Sequence, residues 1–367
     1  MNGRTRVHNA ISRQPIDRIP RCDALWEDTL IDWRKQGFPE DAEPAEYFDW
    51  DIVDLFMDAS MRRPAEIIES DGDFIVYRDA AGYTVRKFRG ESRSLAFLDH
   101  ATKDRHTWEE LKTGFRFDPE APARIDVKSY FMHMDDYPSW EHAKTLYDVL
   151  RDSGKYIRMT VYGPWEATWR HRGYEQLFMD LALDPDWVLE MAETQVSLVE
   201  TCLRHCLSLG IRPDALFLVE DLAGQTGPLF SPEMWRALFK PLMKRMGNWL
   251  RRNGISFWMH SCGNCEVYLE DFIECGLDVI QPLQASAGFD VRDLKRRLGD
   301  QLTFFGNIDV RKMSGSEAEC NAEIRDKITV AKENGGYIYH SDHSVPPEVT
   351  FGRYRQVMEW VETYGAY

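Results

Sequence analysis

From about residue 154 onward, short apolar runs alternate with longer stretches in which apolar residues recur every three or four positions. "KYIRMTVYGPW" leads into "EQLFMDLALDPDWVLEMAETQVSLVETCLRHCLSLG", and "DALFLVEDLAGQTG" precedes "SPEMWRALFKPLMKRMGNWLRRNG". Ser231 followed by Pro232 reads as an N-cap with proline in the first helical position. The unit repeats in "ISFWMHSCGN" before "CEVYLEDFIECG" and in "LDVIQPLQ" before "DVRDLKRRLG". It repeats again in "LTFFGNID" before a helix over 317–334, and in "GYIYHSDHS" before "FGRYRQVMEWVETYG". Uniformly apolar runs such as Ala215–Val219 imply parallel strands covered by helices. With "IPRCDALW" and "WDIVDLF" in the first sixty residues, the strands number roughly eight, which predicts an α/β fold of the (β/α)8 TIM-barrel type. An open doubly wound sheet is the competing architecture, but no Gly-x-Gly-x-x-Gly turn follows any of these runs.

The 367 residues exceed the roughly 250 of a plain barrel, and the surplus lies at about 60–150. There "DFIVYRDAAGYTVRKF" (73–88) alternates around Ala80–Gly82 as a β-hairpin, followed by an Asp-, Pro- and His-rich stretch expected to form loops and helices on the barrel face. No clean linker interrupts the chain, so a single domain over 1–367 with this N-terminal hairpin and helical insertion is expected.

Charge and composition narrow the function. Hydrophobic content of 43% with 29% charged residues fits a soluble globular enzyme. No apolar run approaches the ~20 residues of a membrane helix, and "MNGRTRVHNAISRQPIDRIP" lacks the apolar core of a secretory signal. A net charge of −16 weighs against nucleic acid as a partner. The seven cysteines are odd in number and irregularly spaced, which points to a reducing, cytoplasmic compartment with free thiols.

Barrel chemistry sits at the carboxyl ends of the strands. Those positions hold Tyr162 with Trp165 and Glu166, Glu220 with Asp221, His260 with Cys262, Gln281 with Gln284, Asn307 with Asp309, and His340 with Asp342 and His343. His260 and Cys262 are the sharpest pair, since side chains two apart on an extended chain share a side. Nitrogen with thiolate sulfur favours zinc over magnesium or calcium. His343 is the preferred third ligand, His340 and Asp342 are substitutes, and Glu220 is a plausible fourth. Cys265 is close by but belongs to the following helix, and the other cysteines read as packing residues. Glu220 and Asp221 are candidates for metal binding, acid–base work or a structural role, and Trp165 and Trp169 for lining a pocket for a flat substrate.

The stretches "HSCGN", "LDVIQPLQASAGFDVRDLKRRLGDQLTFFGNID" and "GGYIYHSDHSVPPEVTFGRYRQVMEWVE" together resemble the uroporphyrinogen decarboxylase superfamily, as do "VEDLAGQTGPLFSPEMWRALFKPLMKRM" and "GPWEATWRHRGYEQLFMDLALDP". One arm of that superfamily is metal-free and carries an N-terminal Arg-Gln-Ala-Gly-Arg motif that holds the substrate's carboxylates. The corresponding "PRCDALWEDTLIDWRKQGF" lacks it, and Arg21 and Arg34 do not restore its spacing. The other arm comprises zinc-dependent methyltransferases acting with corrinoid proteins, in which a His-x-Cys and a later cysteine hold the metal. His260 and Cys262 match, while His343 stands where the final cysteine is expected. With one fewer thiolate, zinc is a stronger Lewis acid, which suits activation of a methoxy oxygen.

The resemblance therefore implies a methyltransferase of the O-demethylase type, with zinc on His260, Cys262 and His343 and a corrinoid (cobalamin) carried by a partner protein. Glu220, Asp221 and Tyr162 are the expected catalytic residues, and Trp165, Gln281, Asn307, Asp309 and His340 the expected contacts to a small methylated substrate. A homodimer is compatible with this reading. The alternatives are a metal-free decarboxylase of porphyrin metabolism, with Asp58 or Asp221 contacting pyrrole N–H groups, and a non-catalytic ligand binder.

Overall fold

The structure, a computed structural model, describes residues 1–89, 95–129 and 136–367. Among them are seven parallel strands: β1 (Ile52–Met57), β2 (Tyr156–Tyr162), β3 (Ala215–Val219), β4 (Ser256–His260), β5 (Val279–Gln281), β6 (Thr303–Phe305) and β7 (Tyr337–Ile338). Each pairs with the next in chain order. The segment expected as the first strand, "IPRCDALW", bridges the two ends of this row. Tyr339 N donates to Pro20 O and Cys22 N to Tyr339 O, while Asp51 N donates to Arg21 O just before β1. The bridge stays short for a local reason: Pro20 has no N–H to give, and the N–H of Arg21 goes to the Asp51 carboxylate at 2.8 Å. The result is the α/β barrel that the alternating pattern predicts.

The helices between strands bury the stripe that their spacing foretells. Pro185–Ser208 turns Val188, Met191, Ala192, Val196, Val199, Leu203 and both Cys202 and Cys206 inward, at intervals of three and four. Ser231 caps Pro232–Leu238 by accepting from Met234 N, with Pro232 in the first turn. On the strands, Phe257, Trp258 and Met259 are all buried, so both faces of β4 are covered, as a parallel sheet requires.

The hairpin forms where expected, from Phe74–Arg78 and Tyr83–Phe88, turned by the Asp79 carboxylate accepting from Ala81 N at 2.7 Å. It is larger than the sequence suggested. Glu66–Ser70 and Leu95–His100 add on either side to make a four-stranded antiparallel sheet. Parts of the expected insertion, residues 90–94 and 130–135, lie outside the described residues. No helix among the described residues is long and apolar enough to cross a membrane.

Candidate metal centre

Strand β4 delivers the central pair. Its period of two places Trp258 and His260 on the barrel's inner side, where Trp258 packs against Phe305 and His260 sits edge-on to Phe217. Cys262 follows two residues on, and its Sγ lies 3.2 Å from His260 Nε2. The chain then turns at Gly263, with φ of +72°, so close to the neighbouring loop that a Cβ would stand 2.3 Å from Ala223 O. Only glycine fits there. Cys265, buried behind this turn, points its thiol at Ser261 O and is a packing residue.

Strand β3 supplies the third member. Glu220 and Asp221 are neighbours and point opposite ways. Glu220, fully buried, accepts from Trp165 N and Glu166 N at 3.0 Å each, capping the helix Pro164–Arg172. Burial pushes its carboxyl well above the usual range. Its place is structural, and it is not among the converging ligand atoms. Asp221 turns the other way, with Oδ1 3.5 Å from His260 Nε2 and accepting from Cys262 N at 2.7 Å. One ligand atom each from Asp221, His260 and Cys262 lies within 4.8 Å of the others. Tetrahedral zinc, with bonds of about 2.0–2.3 Å, places its ligand atoms roughly 3.3–3.6 Å apart, close to the 3.2 and 3.5 Å that separate His260 Nε2 from Cys262 Sγ and Asp221 Oδ1. Burial, followed by the charge of Asp221, holds the Cys262 thiol well above its ordinary value. A cation taking the proton's place removes that penalty.

A cavity of about 760 Å³ opens beside the cluster and meets it at Asp221. Tyr162, His343 and Trp169 line it, and His343 stacks on Trp26 at 5.5 Å. His343 thus stands at the cavity wall, outside the group of three ligand atoms. The insertion closes one side with Asp79, Tyr83, Leu95 and Phe97, so the antiparallel sheet is a cover for the barrel mouth. Phe97 meets Trp169 edge-on at 5.1 Å, and Trp169 stacks on Tyr174 at 4.3 Å. These rings give a flat apolar slot.

Within the slot Glu166, one of the strand-end positions, is paired with Arg170, which is not among the residues expected from sequence. Arg170 donates to Glu166 at 2.9 Å, and its guanidinium covers the Tyr162 ring at 3.8 Å. Burial raises the Glu166 carboxyl to about 7 against the opposing pull of Arg170. The signal was present as a carboxylate and an arginine four apart on a helix leaving a strand end.

The remaining expected contacts lie away from the cavity. Trp165 is fully buried against Phe230 at 4.6 Å, behind the wall. Asn307 spends both ends of its amide on backbone, accepting from Val291 N and donating to Leu283 O and Phe289 O. Asp309 caps the short helix Val310–Met313 and pairs with Arg311. Asp342 accepts from Val310 N and Ala285 N. Gln281 and His340 instead form a polar chain behind His260. Gln281 Oε1 meets His260 Nδ1, and Gln281 Nε2 lies 3.3 Å from His340 Nε2.

The Glu220 cap makes one local prediction. A Cβ at Gly163 would stand 2.4 Å from Glu220 Oε2. Gly163→Ala is expected to destabilise the protein by about 2 kcal/mol, read as a lower urea midpoint.

A family model for uroporphyrinogen decarboxylase (URO-D) matches residues 144–364. No curated protein matches the chain in sequence. Among solved structures, a methyltransferase from Methanosarcina mazei superposes with a TM-score of 0.64 at 13% identity, covering 99% of this chain and 98% of its own. A vitamin-B12 independent methionine synthase from Listeria monocytogenes aligns over 60% of this chain and 68% of its own, at 15% identity and a TM-score of 0.38. The first likeness establishes a shared fold along the whole chain, and the second is too slight to carry an argument. With the matched region spanning most of the barrel, from the helix before β2 to the last helix, the chain belongs to the uroporphyrinogen decarboxylase family.

Proposed function

We propose that this protein is a zinc-dependent methyltransferase that moves a methyl group from a small methoxylated aromatic compound to a corrinoid held by a partner protein. The observation that carries this reading is the convergence of Asp221, His260 and Cys262 beside an aromatic slot. Zinc held by these three would supply Lewis acidity to the methyl-bearing oxygen. Sharing of its fold with a solved methyltransferase supports the reading.

The chain's own groups have definable tasks. Trp169, Tyr174 and Phe97 hold the ring of the substrate flat. The insertion sheet shields the slot from water. As the carbon–oxygen bond breaks, the electron pair stays on the substrate oxygen, and Glu166 donates the proton that neutralises it. Arg170 keeps Glu166 in place through its 2.9 Å hydrogen bond. Decarboxylation of a substrate rich in carboxylates finds little support. Arg170 is the one arginine lining the cavity among the described residues, and it is already engaged in its hydrogen bond to Glu166.

Purified protein is expected to hold near-stoichiometric zinc. Zinc-free protein that turns over a porphyrinogen would contradict the proposal. The acid role sets a pH profile. Glu166 is protonated below about 7, so methyl transfer is expected to be level at lower pH and to fall as pH rises through that value. Glu166→Gln should lower the rate on the order of a hundredfold and abolish this limb. An unchanged profile in the variant would remove Glu166 from the mechanism.

A further inference from the structure

Behind the metal centre runs a chain of hydrogen bonds with a single allowed direction. It begins at Ser341 O, a carbonyl, which can only accept. The Nδ1 of His340 is bonded to it, so Nδ1 carries the proton there. In a neutral ring, His340 Nε2 is then an acceptor, and Gln281 Nε2 donates to it at 3.3 Å. That fixes the amide with Oε1 facing His260, where it accepts from Nδ1–H. His260 is left with its Nε2 lone pair directed at Cys262 Sγ and Asp221 Oδ1, the place of the metal.

The far end of the chain is anchored. Asp23, in the segment that closes the barrel, accepts from Ser341 N at 3.2 Å and from the Ser341 hydroxyl, and its Oδ1 lies 3.6 Å from His340 Nδ1. The hydroxyls of Tyr339 and Tyr354 hold its other oxygen at 3.2 and 2.9 Å. His340 and Gln281 are both buried, at 3% and 5% exposure, so no bulk water competes for these bonds.

We infer that His340 and Gln281 are positioning residues for the metal ligand, with His340 setting the orientation of the Gln281 amide and Gln281 setting the tautomer of His260. The inference rests on the reading of His260 as a ligand through Nε2. It gives both residues a role other than substrate contact. Outer partners of this kind commonly change metal affinity by 10–100-fold.

His340→Phe removes the acceptor that orients the amide, so Gln281 is free to turn its NH2 toward His260 and stabilise the wrong tautomer. Glutamate at 281 has no donor end and cannot turn the wrong way. The experiment measures zinc affinity by chelator competition in the full-length protein. It also reads the His260 tautomer by nitrogen NMR of the metal-free, isotope-labelled protein, with the resonance assigned by its loss in His260→Ala. Zinc affinity is expected to fall about tenfold in His340→Phe and 10–100-fold in Gln281→Leu, with His260 becoming a mixture of tautomers in both. Adding Gln281→Glu to His340→Phe is expected to restore affinity and the Nδ1–H form. A purely structural role for His340 would not be rescued in this way. Unchanged tautomer and affinity in His340→Phe, with only a raised KM, would overturn the inference in favour of substrate contact. Failure of rescue by Gln281→Glu would overturn it as well. If the parent protein takes up no zinc, the ligand reading fails, while the tautomer in metal-free protein still decides the relay.

Discussion

Replacing Cys262 by alanine is expected to leave a folded protein that no longer retains zinc and no longer transfers methyl groups. Cys262 lies outside the hydrophobic core, and alanine removes a single sulfur atom, so its loss removes little packing. The variant's urea midpoint should stay close to that of the parent, with a stability change of under about 1 kcal/mol. Its effect on the metal is far larger. A structural zinc site binds with roughly 10–16 kcal/mol shared among its ligands, so losing the one thiolate weakens affinity by at least about a hundredfold. Zinc content after dialysis against a mild chelator checks this. Full retention of zinc in Cys262→Ala would place the metal elsewhere.

Asp221→Asn and His343→Ala, compared side by side, carry the second large effect. Asparagine keeps an acceptor for Cys262 N but withdraws the charge, so zinc affinity is expected to drop at least about a hundredfold. His343 stacks on Trp26 at the cavity wall, so His343→Ala is expected to keep its zinc and to raise KM about tenfold through lost contact area. The opposite pattern, with zinc lost from His343→Ala and kept by Asp221→Asn, would make His343 the third ligand in place of Asp221.

The difference between these two residues shows what the sequence can and cannot convey. His260 and Cys262 were legible because they are two apart on one strand, and their convergence follows from the β period alone. The barrel was legible for a similar reason: Ala215–Val219 and Phe257–Met259 are apolar on both faces, which parallel strands under helices require. The third member of the candidate site depends instead on which of two adjacent carboxylates turns inward. Glu220 and Asp221 are indistinguishable by composition, and the choice is made by the N–H groups of Trp165 and Glu166, some fifty-five residues upstream. In sequence His343, not Asp221, is the preferred third ligand, because the distance around a barrel is not written in residue spacing.

The same limit applies to the aromatic slot. Tyr83 and Phe97 come from the insertion and Trp169 from the helix after β2, and only the fold brings them together. The hairpin was readable from its alternation, but its function as a cover was not. Arg170 and Glu166 were nearer to hand, since an acid and a base four apart on a helix announce a pair. Their burial in the cavity wall follows only from the fold.

The most direct test of this account is a single-turnover assay of the zinc-loaded protein with reduced cobalamin and a ring-methoxylated aromatic compound. Stoichiometric methylcobalamin and the matching phenol are expected, with both products absent from Cys262→Ala. Failure of the zinc-loaded protein to form methylcobalamin from methoxylated aromatics, or transfer that proceeds equally well in Cys262→Ala, would contradict it.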